Sequence, residues 1–344
     1  MSYEVIKGRD FSDLLDGKIA FVLCIGNTLT AEISGITVAG ESPELIKFTP
    51  PADAELLCYG HCRSIPFPPA TPDGKPTPAL ITYTALRLTG IPLFVVDSGL
   101  IEKPKMPYFA VNAPTGGNIA EGSAFDIDRA RETFEYAKII GREISKEFDT
   151  IMVGESIPAG TTTAGAVLKA FGLNPKVSSS MPENPVEIKQ KVIEKAVSRV
   201  KSDDPLEIVA EVGDPVLLAV SGIAIGSKKP VILAGGTQMA AVSQIVKRLS
   251  PDADIHIATT KYVAEDETAD IVTISAADVI ASDPGLGDSV KAGLRAYEGG
   301  FVKEGVGAGG ATLLACRRGY TKDRFLKEIE RDYEVVVERA KIQD

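Results

Sequence analysis

The chain contains only two histidines and four cysteines, has no surplus of basic residues, and nowhere runs to about twenty consecutive uncharged apolar residues. Each scarcity removes a class of function. With His61 and His256 as the only imidazoles, a Ser-His-Asp or Cys-His hydrolase has little to work with. The single cluster of metal-binding type, Cys58-Tyr-Gly-His61-Cys62, holds too few ligands for a closed zinc site, and Cys24 and Cys316 lie far away in sequence. No metal site is therefore expected, and the cysteines read as reduced thiols. Lysine and arginine number 37 against 47 acidic residues, a formal charge of −10, which argues against a general nucleic-acid binder because phosphate neutralisation needs a basic surface. Without a long apolar run no membrane span is expected, and the first ten residues lack the basic-then-apolar order of a signal peptide, so the expected location is the cytoplasm. No Gly-x-Gly-x-x-Gly opens the first strand-to-helix turn, which disfavours an NAD or flavin dehydrogenase.

What is present is an α/β pattern. At 344 residues and 44% hydrophobic content the chain can bury a sizeable core, and we expect a single domain over residues 1–344. Strand-like runs stand at 19–25, 92–96, 108–112, 150–153, 230–234, 255–258 and 271–274. Helical periodicity covers 126–145, 186–201, 236–249 and 322–341, the last with Phe325, Leu326, Ile329, Tyr333 and Val337 as its inner stripe. Runs such as Phe94-Val-Val and Val231-Ile-Leu are apolar on both faces, as strands buried between two helix layers must be. The expected architecture is a three-layer α/β/α sandwich around a mostly parallel Rossmann-like sheet, with a small subdomain from the chain termini. The proline-rich stretch 66–78 can form neither a regular strand nor a helix, and its composition fits a substrate lid as well as a plain connection.

Three turns carry the chemical signal. In Ile151-Met-Val-Gly-Glu155-Ser-Ile-Pro-Ala-Gly160-Thr161-Thr162-Thr163, a β-type run ends in a carboxylate and a loop of small residues that opens a helix. Backbone N–H groups at such a helix start favour an anion, and the three hydroxyls add donors, although a capped strand-to-helix turn would look the same. Lys303-Glu304-Gly305-Val-Gly307-Ala repeats the pattern before another apolar helix, and Ala234-Gly235-Gly236-Thr237 follows a third strand-like run. In a parallel sheet such turns collect at the carboxyl edge, where ligands bind.

In order and spacing these segments resemble the nicotinate mononucleotide:dimethylbenzimidazole phosphoribosyltransferase family, in its archaeal branch. Gly154-Glu155-Ser-Ile-Pro-Ala-Gly160-Thr161-Thr162 is similar to that family's Gly-Glu-Met-Gly-Ile-Gly-Asn-Thr-Thr loop, and Lys303-Glu304-Gly305-Val-Gly307-Ala308 to its late Gly-Glu-Gly-x-Gly-Ala turn. Asp214-Pro-Val-Leu-Leu-Ala, Val95-Val-Asp97-Ser-Gly99 and Gly116-Gly-Asn118 match in sequence order, whereas residues 1–78 match poorly and could form a lid or an interface. The resemblance implies transfer of the 5-phosphoribosyl group of nicotinate mononucleotide to dimethylbenzimidazole or a related base, giving α-ribazole phosphate and nicotinate in cobamide assembly, with no cofactor, membrane or nucleic-acid partner, in a homodimer. It implies Glu304 as catalytic base, with Glu155 near the ribose or acceptor. Gly160, Thr161, Thr162, Thr163, Lys189, Gly235 and Gly236 would bind phosphate and ribose, and Pro78, Thr82, Asp97, Ser98, Gly305 and Gly307 would line the base pocket. For Lys189 a solvated helix face, and for Asp97 a turn-capping role, are the readings of the residues alone. A transferase with another acceptor, and a non-catalytic nucleotide sensor of the same fold, remain the competing functions.

Overall fold

Strand β2, Ile19–Ile25, is buried at every position, and its side chains divide by parity. Ala20, Val22 and Cys24 enter one apolar core, while Ile19, Phe21, Leu23 and Ile25 enter another. The computed structural model describes residues 1–39, 42–71, 73–179 and 181–338. In it eight strands form one sheet: β1 Ser2–Lys7, β2, β3 Leu93–Asp97, β4 Phe109–Ala110, β5 Thr150–Ser156, β6 Val231–Ala234, β7 Ile255–Thr260 and β8 Asp278–Asp283. Their order is β1-β8-β7-β6-β5-β2-β3-β4. Every pairing is parallel except β1 with β8. Helices Ile127–Ile144, Gly160–Ala170, Pro215–Gly226 and Thr237–Leu249 bury the first core. Helices Thr49–Tyr59, Ala79–Thr89, Ala308–Arg317 and Lys322–Tyr333 bury the second. The expected three-layer α/β/α sandwich is thus the architecture of the chain. The termini do come together, and they extend the main sheet: β1 adds antiparallel to β8, and the helices from 308 onward cover the same face.

Chain order reverses between β2 and β5, since β2 to β4 run outward on one side and β5 to β8 on the other. Such a reversal opens a crevice at the carboxyl ends of the strands.

Three local expectations change. Residues 271–274, read as a strand, form one helical turn, Ile271–Ile274, capped by Asp270, whose Oδ1 accepts the Thr273 N–H at 3.0 Å. Ile271 and Ile274 are buried and the two residues between them exposed, which is helical spacing; four apolar residues are too few to show the difference. The run 108–112 narrows to two paired residues at the sheet edge. The final helix ends at Tyr333 and continues as a π-type turn, Glu334–Glu338, burying Phe325, Ile329 and Val337 as expected; its expected positions 339–341 lie outside the described residues. Strands β1 and β8 carry polar residues between apolar ones and were not anticipated.

Candidate active site

β5 delivers Glu155 and Ser156 to the carboxyl edge of the sheet, and the chain then turns through Ala159 at φ 64° into helix Gly160–Ala170. Alanine rarely adopts a left-handed conformation, and here it is held by the Thr162 N–H donating to its carbonyl at 2.9 Å. The expected phosphate loop divides at this turn. Thr161 faces a cleft and accepts a hydrogen bond from Lys189 Nζ at 3.1 Å, whereas Thr163 turns away to Asp214 Oδ2 at 2.5 Å and the Gly160 carbonyl at 3.0 Å. The Thr162 hydroxyl is buried with no partner among the described residues.

Lys189 is 2% exposed, so the solvated-face reading of that residue fails. Its Nζ also donates to the Ser178 carbonyl at 2.7 Å, leaving one of its three donors for a ligand. Burial, helped by the positive charge of Lys303, lowers its pKa to about 7, with Asp266 opposing. An ammonium in that condition gains strongly from an incoming anion.

Glu304 enters from the other core, on a loop with three unusual backbone positions: Val302 at φ 43°, Gly305 at φ 149° and Val306 at φ 55°. Branched residues with positive φ cost of order 1–3 kcal/mol each and persist only where the surroundings hold them. Here Val306 N–H donates to the Glu155 carbonyl at 2.8 Å and Thr82 Oγ1 donates to the Val306 carbonyl at 2.9 Å, tying the loop to β5 and to helix Ala79–Thr89. The Glu304 carboxylate accepts from Thr260 N–H at 2.8 Å, Gly305 N–H at 3.0 Å and Gly309 N–H at 3.2 Å. Gly309 must be glycine, because a Cβ there would lie 2.1 Å from the Thr259 carbonyl carbon. Loss of water pushes the Glu304 carboxyl up to about 7 despite these donors. Glu155, buried in the same cleft, is pushed up to about 8, first by burial and then by the negative charge of Glu304.

The cleft encloses about 950 Å³ including its mouth. Of the anticipated residues it is lined by Glu155, Gly160, Thr161, Lys189, Gly236, Glu304, Gly305 and Pro78. The proline-rich stretch contributes Pro69, Ala70, Thr71, Lys75, Thr77 and Pro78, so it covers the cleft instead of passing elsewhere. Gly235 stays within the sheet edge, its N–H on the Ala258 carbonyl, and Gly307 and Thr82 support the Glu304 loop from behind. Asp97 and Ser98 are not brought to the cleft. Asp97 accepts from Gly99 and Leu100 N–H at 3.0 Å and pairs with Lys103 at 2.6 Å, the turn-capping alternative, and the Ser98 hydroxyl points to the Val96 carbonyl. Their strand lies two places from β5, roughly 10 Å along the sheet at ~4.8 Å per strand.

Sequence reasoning missed Asp53, Ser156, Ser178, Ser179, Gln238 and Lys303, which also line the cleft. Lys303 is buried, with Nζ on Asp266 Oδ2 at 2.9 Å and on the Met181 carbonyl at 3.3 Å. The run Val177-Ser-Ser following the helix stop at Gly172 was the one local signal available for the serines.

A family model described as Phosphoribosyltransferase matches residues 81–284, more than half of the chain. The chain belongs to this phosphoribosyltransferase family. Among relatives of this phosphoribosyltransferase family member, a UPF0284 protein of Archaeoglobus fulgidus is 63% identical over 338 residues, covering 98% of this chain and all of that one. A UPF0284 protein of Sulfolobus acidocaldarius is 44% identical, covering 94% of this chain and 96% of its own. The fold is shared with a crystal structure of CobT from Thermus thermophilus, at TM-score 0.60 and 18% identity over 90% of this chain and 84% of the other. It is shared equally with a structure named as nicotinate-nucleotide-dimethylbenzimidazole phosphoribosyltransferase from that organism, at TM-score 0.59 and 19% identity over 90% and 83%. The resemblance read from the turns therefore holds for the family and its archaeal branch. Among the described residues no helix is long and apolar enough to cross a membrane.

Proposed function

We propose that the chain transfers the 5-phosphoribosyl group of nicotinate mononucleotide to dimethylbenzimidazole or a related base, releasing nicotinate and giving α-ribazole phosphate for the lower ligand of a cobamide. The observation that carries this reading is Glu304, a carboxyl group held on backbone N–H donors in the same cleft as the buried Lys189, which forms no ion pair among the described residues. The name borne by the solved neighbour of like fold supports the choice of substrates.

In this mechanism the phosphate takes the remaining donor of Lys189 and the hydroxyl of Thr161 at the start of helix Gly160–Ala170. Nicotinate leaves the anomeric carbon as a neutral pyridine, so its departure needs no general acid. The attacking azole forms the new bond from the ribose carbon to nitrogen while its other ring N–H passes a proton to Glu304. A base whose pKa lies near the working pH suits that step. Glu155 stands by the ribose, where in its ionised form it stabilises the positive charge that develops as the old bond breaks.

The test is mass spectrometry of the protein incubated with nicotinate mononucleotide and a panel of bases including dimethylbenzimidazole and adenine, beside Glu304→Gln. Base-linked ribotide and free nicotinate are expected from the wild type. The variant should retain nucleotide binding and lose roughly 10²–10⁴ in rate, the usual worth of general base catalysis. Nucleotide binding with no turnover on any base would instead make the chain a nucleotide sensor.

A further inference from the structure

One wall of the cleft carries a carboxyl group that no cation among the described residues answers. Asp53, on helix Thr49–Tyr59, is 2% exposed and lines the cleft. Thr77 Oγ1 donates to its Oδ1 at 2.8 Å and Ser156 Oγ to its Oδ2 at 2.7 Å. Each carboxylate oxygen has two acceptor sites, so one on each remains open. Thr49, one turn earlier on the same helix face, lines the same wall, is nine-tenths buried, and its hydroxyl has no partner among the described residues. No lysine or arginine pairs with Asp53 among the described residues, and burial pushes its carboxyl up to about 7 even with the two hydroxyl donors in place. A polar group buried this way is costly until a ligand meets it.

The neighbours of this wall indicate which ligand. Thr77, bonded to Asp53, precedes Pro78, whose ring lies beside Gly305, and Tyr297, whose hydroxyl donates to the Pro76 carbonyl at 2.9 Å, lies within reach of the charges of both Asp53 and Glu304. The wall therefore adjoins Glu304, the group assigned above to the acceptor's proton.

We propose that Asp53 selects the acceptor, and that the base ribosylated by this enzyme carries an N–H or O–H donor on its ring that bonds to Asp53. This rests on the transferase reading given above. A base offering only methyl groups at that edge leaves the remaining acceptor sites of the carboxyl group unmet, and a pocket built to hydrogen-bond discriminates strongly against an analogue that cannot.

The experiment compares 5-aminobenzimidazole with 5-methylbenzimidazole, matched in size and differing in the donor. Their binding to the full chain is measured by titration calorimetry, in the wild type and in Asp53→Leu, which keeps the side chain's shape but has no acceptor. The amino compound should bind at least tenfold tighter to the wild type, and Asp53→Leu should bring the ratio close to one by weakening the amino compound. Equal affinities in the wild type, no binding of either base, or a ratio unchanged in a folded variant would each overturn the proposal. If the variant does not fold, the wild-type ratio decides. Turnover of both bases with nicotinate mononucleotide is read in parallel. A binding preference that persists with no turnover removes the transferase reading and leaves Asp53 as a base-selecting group. An equal loss for both bases in the variant, with a raised KM for the nucleotide, assigns Asp53 to the ribose hydroxyls and overturns the proposal.

Discussion

Glu304 and Glu155 titrate as a pair. Glu155 is held up partly by the charge of Glu304, so the apparent values of about 7 and 8 belong to the two together. A raised pKa means that Glu304 is protonated, and useless as a base, at pH 6. The rate, measured as kcat/KM between pH 5.5 and 9, should therefore rise with pH through about 7. In Glu155→Gln the rising limb should stay near 7, because Glu155, with the higher value, is still neutral when Glu304 ionises and adds no charge to it. A limb that moves to lower pH would show that Glu155 ionises first. Neither shift could be read from the residues themselves. The loop containing Glu155 and the turn containing Glu304 are legible as glycine-rich turns beside a carboxylate, but desolvation depends on what the long stretch of chain between them places around them, and the sequence is silent on that.

The helix Ala308–Arg317 begins where Glu304 needs its donors, and it can begin there only because two consecutive glycines bring the backbone against β7 and β6. Gly309→Ala would drive a methyl group into the Thr259 backbone and displace the N–H that Glu304 accepts. The expected outcome is a loss of about 1–3 kcal/mol of stability, the usual cost of overpacking, and a fall in activity larger than the lost fraction of folded protein. Thermal melts beside single-turnover rates test this; a stable, fully active variant would show that the glycine is not what sets the turn. At this scale the sequence was informative where elements are long. The helix at 126–145 and the buried strands announced themselves by period, and in the structure Asp126 caps Ile127–Ile144, its Oδ1 accepting the Asp128 N–H at 2.8 Å. It was uninformative at 271–274, where the Asp270 cap decided the conformation, and at β1, which is a strand because the edge of β8 is there to pair with.

For the whole molecule, five buried carboxyl groups among the described residues carry raised values: Asp53 at about 7, Asp214 at about 6, Glu155 at about 8, Glu304 at about 7, and Asp332, pushed up by burial. In the unfolded chain such groups titrate near 4. The folded state thus binds more protons between about pH 4 and 8, and these groups make it less stable as pH rises through that window. Lys189 acts in the next window: its lowered value means that the folded state holds fewer protons from about pH 7 to 10, so its cost is relieved as pH rises. The clean measurement is a difference. The melting temperature of Glu155→Gln minus that of the wild type should grow from pH 5 to 8, since the variant no longer carries a charge that burial disfavours. A difference that stays flat or shrinks would mean that Glu155 is not desolvated in solution.

By itself the sequence determined the parallel α/β layers, the anion-suited turn after β5 and the carboxylate turn at Glu304, because alternation of apolar residues and clusters of small residues are local properties of the chain. Only the tertiary structure decided which side chains share the cleft. It set Asp53 against Ser156, 103 positions later, and Glu304 against Thr260. It placed Lys189 under Thr161, and it sent Asp97 and Ser98 two strands away. The reason is that the order of strands in the sheet and the crossing of the helices over it fix distances between remote segments, and packing energy, which no short stretch of sequence expresses, selects that order.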